Sequence, residues 1–473
     1  MSNKVKLGEV LEVKRGTSLS GKFYSETGEK IRLTLGNFDY PNGGFKNNTS
    51  KTDIYFNGKL KPEFILKKGD IITPLTEQAS GLLGETARIP EDNLYIQSGD
   101  IGLVIPNSEL LDNSFAYYLL PSPSVKKQLG AGAQQTKIRH TSPEKIKDCE
   151  VWIPEMPCQK FIGTLLDSIN AKISTNNRIN AELESMAKTI YDYWFTQFDF
   201  PDENGKPYRS SGGAMVWNEQ LKRDIPQKWT LGSISDCVEK ISTGLNPRDN
   251  FVFGNGNIRY ITVKNLTTTG SLDYSGCDMI DEEARALVHR RSDICIGDIL
   301  FASIAPLGRC FLIQQEPTDW DINESVFSIR CKADMTTPEF LYLYFRSDGF
   351  IRKATNTSTG SIFKGIRINT LLDTKMIVPD LQVCKNFTNT IKPFLAEINN
   401  NSNETTQLIA LRDWLLPMLM NGQIGFKDKQ EEKPQIKVSG FEQWFAYQGF
   451  AARGDVDMEV LRNIYEAMDN DDK

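Results

Sequence analysis

The chain says nearly the same thing twice. Residues 136–154 read TKIRHTSPEKIKDCEVWIP and residues 361–379 read SIFKGIRINTLLDTKMIVP. In each, Ile-Arg is followed by a polar turn, a Leu or Ile, a charged turn and a short apolar run closed by Pro: Ile138-Arg139 leads to Pro154, and Ile366-Arg367 to Pro379. The correspondence continues at an offset of about 225, pairing Leu7-Gly8 with Leu231-Gly232, Gly69-Asp70 with Gly297-Asp298, Phe115 with Phe340, Cys158 with Cys384 and Phe161 with Phe387. Matches in this order, with small insertions, mark a duplicated unit, so the fold must be one that two copies of a single architecture can build.

Each half holds a mixed stretch of roughly 150 residues followed by one long helical pattern. Short β-type runs (EVLEVK, IRLTLGNF, DIITPL, DIGLVIP; then IRYITVKNL, DILFASI, CFLIQ, SVFSIRC) alternate with Gly, Asn and Pro turns, and a helix is predicted near 115–129 and again near 338–353. The helical segments carry the sharper signal. Ile162, Leu166, Ile169, Ile173, Asn176, Asn180, Leu183, Ala187, Ile190 and Trp194 step by four and three in alternation, the a/d seam of a coiled coil. Adding 225 gives Phe387, Ile391, Phe394, Ile398, Asn401, Thr405, Leu408, Arg412, Leu415 and Leu419, so the seam occurs twice and turns polar at the same two central layers.

A helix over about 158–192 is ~50 Å long, too long to bury its stripe on one compact globule. Two arrangements remain: two separate surface helices, each on its own domain, or an antiparallel pair. The pair is preferred, with Asn176 beside Thr405 and Asn180 beside Asn401 in a layer where amide and hydroxyl satisfy one another. Pro393 lies inside the second seam and is expected to start or kink that helix. The fold class predicted is therefore α+β: two similar α/β domains separated by two long antiparallel coiled-coil helices, in an internal pseudo-two-fold repeat. The boundaries expected are a first domain over 1–154, a spacer helix over 155–200, a linker over 201–228, a second domain over 229–379, a second spacer helix over 380–422, and a charged linker with a C-terminal helical extension over 423–473.

The chemistry missing from the sequence sorts the function classes. There is no P-loop pattern, FGNGN lacks the third Gly of a dinucleotide fingerprint, and the two histidines, His140 and His289, are too few for a His-based metal site or triad. The eight cysteines are scattered without a C-x-x-C pair, which argues for reduced, buried thiols and against zinc. PDENGK at 201–206 sets its carboxylates side by side in a turn, unlike a nuclease site, and no Asn/Asp-Pro-Pro-Tyr segment is present to grip an extruded base. No apolar run reaches the ~18 residues of a membrane span, and the N-terminus lacks a signal-peptide pattern, so a cytoplasmic protein is expected. A net charge of −6 argues against a protein that coats nucleic acid, while leaving room for local basic loops or a channel completed by partners.

Two copies of globule plus long helix, the repeated x-x-G-D-I strand starts, the Ile-Arg…Pro echo and the linker FPDENGKPYRSSGGAMVWNEQLKRDIPQKW together resemble the specificity subunit of type I restriction-modification systems, over about residues 5–422. The resemblance implies two target-recognition domains, each reading one half of a split, asymmetric double-stranded DNA site, with paired helices setting the unread gap. It implies a bacterial or archaeal subunit with no catalysis of its own. Methyltransferase subunits would bring S-adenosylmethionine and methylate adenine; restriction motor subunits would bring ATP and Mg²⁺. Loop cations and amides able to reach phosphates or base edges are Lys14, Arg15, Thr17, Gln78, Gln135, Lys137 and Arg139 in the first domain, and Thr243, Lys264, Asn265, Arg309, Lys364 and Arg367 in the second. For the echoed Ile-Arg, two uses stay open: a cation beside a DNA-facing loop, or plain core geometry. Tyr191, Tyr193, Phe195 and Trp414 either dock methyltransferase helices or cap the rod against its own globules. Two rival functions also stand, a coiled-coil scaffold without DNA readout and part of a single-chain modification enzyme.

Overall fold

The computed structural model describes residues 4–40, 43–77, 81–131, 139–248, 250–357, 365–426 and 450–452. The chain divides into two compact units, Met1–Ile173 with Gln407–Lys473, and Ser174–Thr406.

In the first unit, alternating apolar residues build an antiparallel sheet in the order Leu11–Arg15, Ile101–Pro106, Ile71–Pro74, Ala87–Arg88, with Val104 opposite both Val13 and Ile71. A smaller sheet joins Tyr24–Ser25, Tyr55–Phe56, Ile31–Arg32 and Tyr95–Ile96, the last two parallel. Lys4–Lys6 pairs with Glu150–Trp152 just before the chain enters its long helix. The second unit repeats this plan. Its sheet runs Val238–Thr243, Val326–Cys331, Ile299–Ala302, Cys310–Leu312, all antiparallel. Ile258–Ile261 again has a parallel neighbour, Trp320–Ile322, and Thr230–Ser233 pairs with Lys375–Val378.

The repeated Gly-Asp has a backbone cause. Gly69 and Gly297 sit at φ 87° and 89°, a left-handed turn that disfavours any side chain. The following carboxylate closes that turn: Asp70 accepts from the Lys67 N–H at 2.8 Å and Asp298 from the Cys295 N–H at 3.1 Å. Asp298, almost fully buried, also receives Nε and Nη2 of Arg330 at 2.8 and 2.9 Å. The helix predicted near 115–129 is two helices, Asn113–Leu119 and Pro123–Ala131, because Pro123 disfavours helical backbone in the residue before it. Its counterpart also breaks, into Pro338–Arg346 and Asp348–Thr357, where the Ser347 hydroxyl accepts from the Phe350 N–H at 3.2 Å.

The first long helix spans Met156–Tyr191 and ends in a π-turn over Asp192–Thr196; the second spans Leu381–Met420. Of the two expectations for Pro393, start or kink, the start is corrected, because the helix begins at Leu381 and continues through it; the proline is exposed, and only the Asn389 carbonyl loses its helical donor. In the second unit the helices run antiparallel, residue 176 facing 401–405 and residue 180 facing 398–402. In the first unit the Arg412 guanidinium reaches the Asn170 side chain at 3.2 Å.

Each unit buries its stretch of both helices. Ile162, Leu166, Ile169 and Ile173 share a core with Phe115, Leu119, Leu415 and Leu419, and Leu408 is partly buried against it. Ala187, Trp194, Phe387 and Ile391 share another with Phe340, Phe345 and Leu371, and Ile190, Phe394 and Ile398 pack on its edge. The seam shifts by one residue at Phe394, which is half-buried, while Leu395 is buried. Leu183 is likewise half-buried.

The segment expected to be a plain linker folds as a hairpin, Met215–Asn218 with Arg223–Pro226, and its neighbours Phe200 and Trp229 stack at 5.1 Å on the second unit's core. Its Pro and Gly content suited turns, but the aromatic residues between them anchor those turns. At the C-terminus Ile424–Phe426 pairs with Phe450–Ala452, a strand where helix was expected. The rest of the extension lies outside the described residues.

Candidate nucleic-acid interface

Both units place the same short device after the strand that has a parallel neighbour. Residues 34–37 read TLGN and 262–265 read TVKN. Asn37 Oδ1 accepts from the Thr34 N–H at 2.9 Å, and Asn265 Oδ1 from the Thr262 N–H at 2.8 Å. On the other side, Asn37 Nδ2 donates to the Lys46 carbonyl at 3.3 Å and Asn265 Nδ2 to the Asp273 carbonyl at 2.8 Å. A buried amide thus clamps both ends of a loop, 38–46 in one unit and 266–273 in the other. A second shared feature lies next to it: a Cβ on Gly16 would stand 2.2 Å from the Ser98 carbonyl oxygen, and one on Gly244 1.6 Å from that of Ile322. Backbone must approach backbone here, so only Gly fits.

In the second unit the clamped turn borders a cleft of about 440 Å³, lined among others by Lys264, Asp273, Ser275, Asp278, Asn323 and Ser325. Two of its lining residues are held by backbone contacts: Asn323 accepts from the Gly244 N–H and donates to the Ile261 carbonyl, and Ile304 bridges Gly365. Two residues before Asn323, the carboxylate of Asp321 is fully buried and accepts from Ser292 Oγ at 2.6 Å and the Ile322 N–H at 2.8 Å, with His289 Nδ1 at 3.0 Å. Burial pushes Asp321 above the usual carboxylate range against the pull of these donors.

The residues singled out from sequence fall into three groups. Lys14 and Arg15 are exposed on the edge strand of the first sheet; Lys14 pairs loosely with Glu12 at 3.7 Å and Arg15 Nε holds the Gly99 carbonyl at 2.8 Å. Thr17 is half-buried and bridges Ser98. Lys264 lies on the cleft, and Arg367 is exposed at the start of the Ile368–Leu372 helix. Arg309 is half-buried, holding the Pro306 and Leu266 carbonyls at 3.2 and 3.4 Å beside a second pocket that contains the Arg346–Glu184 ion pair. Thr243 and Asn265 are buried: the Thr243 hydroxyl donates to Gly244, and Asn265 is a clamp whose amide is fully engaged, so it positions the loop and offers nothing to a base edge. Gln78, Gln135, Lys137 and Lys364 lie outside the described residues, as does the side chain of Arg139, whose backbone pairs with Glu77.

For the helix-end aromatics the structure favours the second of the two readings left open. Tyr191 and Phe195 are buried in the second unit's core, with rings 4.8 to 6.2 Å from that of Phe387, and Trp414 is partly buried on the first unit's core. Only Tyr193 keeps an exposed ring among these four. The other three cap the helices against their own globules, because aromatic surface of this size is more stable packed than wet.

The family described as Type I restriction modification DNA specificity domain matches this chain twice, over residues 2–185 and 226–408. The chain belongs to that family. Its role is in DNA sequence specificity. Its relatives include the type I restriction enzyme MjaIX specificity subunit of Methanocaldococcus jannaschii, 22% identical over 337 residues that cover 68% of this chain and 71% of the relative. The type I restriction enzyme HindI specificity subunit of Haemophilus influenzae is 21% identical over 416 residues, covering 76% of this chain and 87% of the relative. Among solved structures, the type I restriction-modification system S subunit from M. genitalium superposes with a TM-score of 0.56 at 14% identity, covering 89% of this chain and 96% of that one, which is a likeness of fold. The two family matches leave 186–225 between them, the stretch that contains the π-turn and most of the hairpin.

Sequence reading missed Asn37 and the cleft residues Asp278, Asn323 and Ser325. For Asn37 the signal was available, since T-x-x-N recurs at an offset of 228. For the others it was not, because Asp278 opens one strand while Asn323 and Ser325 share the connection between two others.

Proposed function

We propose that this chain is the non-catalytic specificity subunit of a type I restriction-modification complex, and that each unit reads one half of a bipartite, asymmetric double-stranded DNA site. In this reading methyltransferase subunits bind the chain and supply S-adenosylmethionine for adenine methylation, while restriction motor subunits supply ATP and Mg²⁺. The observation that carries it is one scaffold used twice with different chemistry at the same place. The Thr-x-x-Asn clamp and the Gly contact recur, yet Gly36 stands in one turn where Lys264 stands in the other. A Cβ on Gly36 would lie 2.8 Å from the Asn48 side chain, so the first turn is covered by an amide and the second carries an ammonium. Equal frames with unequal polar groups suit two unlike half-sites, since base edges differ in their donor and acceptor pattern.

Methylome sequencing of cells with and without the gene tests this. Loss of a bipartite adenine-methylation motif on deletion is the result expected. An unchanged methylome, with the methyltransferase subunits shown to be expressed, would assign the chain to a scaffold role instead.

A further inference from the structure

In the second unit, the cleft over residues 262–265 brings a cation and carboxylates to one face from different connections. Lys264 rides on the turn that Asn265 clamps from below, and it makes no ion pair with a described residue. Asp278 opens the strand Asp278–Ile280, lies opposite Tyr260 in the sheet, and makes no side-chain hydrogen bond among the described residues. Asp273 is held differently: its carbonyl takes the Asn265 amide and its carboxylate takes the Ser275 N–H at 2.9 Å. Asn323 Oδ1 accepts from the Ser325 N–H at 3.0 Å, which leaves its NH₂ as a donor on the cleft wall. The cleft therefore offers an ammonium and a carboxylate on a rigid frame, with amide and hydroxyl groups around them.

A surface meant only to neutralise phosphates would not place carboxylates here, because they repel the DNA backbone. Against a base edge the combination has a use. In the major groove guanine shows the O6 and N7 acceptors beside the N4 amino donor of its paired cytosine; Lys donates to the first and Asp accepts from the second. We propose that this cleft reads one G·C pair in the half-site of the second unit, with Lys264 donating to guanine and Asp278 accepting from the cytosine amino group. This rests on the DNA-specificity reading above. Asn265 and Asp273 are positioning residues that hold the turn and the loop at the distance the pair requires.

The test is methylome sequencing of cells carrying the wild-type gene, Lys264→Ala, Lys264→Arg or Asp278→Ala, each with its methyltransferase subunits. Lys264→Ala and Asp278→Ala should each relax one G·C position by about 5- to 150-fold in relative use. That position should lie in one half of the motif only, with the other half and the gap unchanged. Lys264→Arg, which keeps donors for guanine, should retain the wild-type motif. If Lys264→Ala and Asp278→Ala leave the motif as it is, or if both halves relax together, the proposal is overturned. Should Lys264→Ala abolish methylation altogether, restoration by Lys264→Arg supports it and persistent loss overturns it. A wild-type gene that directs no methylation motif at all would instead sink the DNA-specificity reading itself.

Discussion

Asn37 and Asn265 do what no apolar side chain of their size could do, because each satisfies a backbone donor on one side of a loop and a backbone carbonyl on the other. Replacing Asn265 by Ala leaves the Thr262 N–H and the Asp273 carbonyl without their partner, at a cost of about 1–3 kcal/mol. Urea denaturation of the purified chain should show that loss in the transition of the second unit. Asn265→Asp should recover part of it, since a carboxylate still accepts from Thr262 but cannot donate to Asp273. Asp167 is the corresponding case for titration. Burial tends to raise it, but Arg88 at 2.7 Å, Ser114 at 2.6 Å and Tyr118 at 2.8 Å outweigh that and hold its carboxyl below the ordinary value. A carboxylate with a lowered folded-state pKa contributes stability above its unfolded value near ~4 and loses it as pH falls through the folded value. Unfolding measured from pH 6 downward should fall less steeply in Asp167→Asn, which has no proton to gain there, than in the wild type. The Asp167 network was invisible in sequence because its members are 49 to 79 residues from Asp167 and of ordinary type.

At the scale of elements, the paired helices were readable and their chemistry at the centre only partly so. The a/d spacing marked positions 176, 180, 401 and 405 as polar. The structure adds that Asn176 is almost fully buried, donating to Glu404 at 2.6 Å and Thr405 at 3.4 Å, while Asn401 donates to Asn180 at 3.0 Å. Glu404 is off the seam, so no heptad count could have named it. Asn176→Ala should cost about 1–3 kcal/mol by removing those buried hydrogen bonds, whereas replacing Asn176, Asn180 and Asn401 together by Leu should raise the urea midpoint and broaden the transition as alternative registers open. Pro393 argues the other way. With its ring facing water and the Asn389 carbonyl deprived of a donor, Pro393→Ala should stabilise the chain by up to about 3 kcal/mol, read as a higher melting temperature in calorimetry. If the melting temperature falls, the helix depends on its proline for geometry.

For the whole molecule, duplication has a consequence for exchange experiments. Each unit carries its own sheet, its own clamp and its own stretch of both helices, so replacing residues 1–154 by the matching part of a relative should alter one half of a methylation motif and leave the other. With a net charge of −6, DNA affinity should be weak for the free chain and rise when methyltransferase subunits are added, log K falling by ~0.9 per phosphate neutralised as log salt rises. The sequence by itself determined the repeat, the two long helices and the positions of the Gly-Asp turns, because periodicity and the backbone demands of Gly are local properties written within a few residues. Tertiary structure alone decided that Tyr191 and Phe195 face inward, that the linker is a hairpin on an aromatic core, that Asn265 is a clamp, and that Lys264 and Asp278 share a cleft. Those facts depend on which segments lie side by side, and side-chain type does not encode its neighbours across intervening chain.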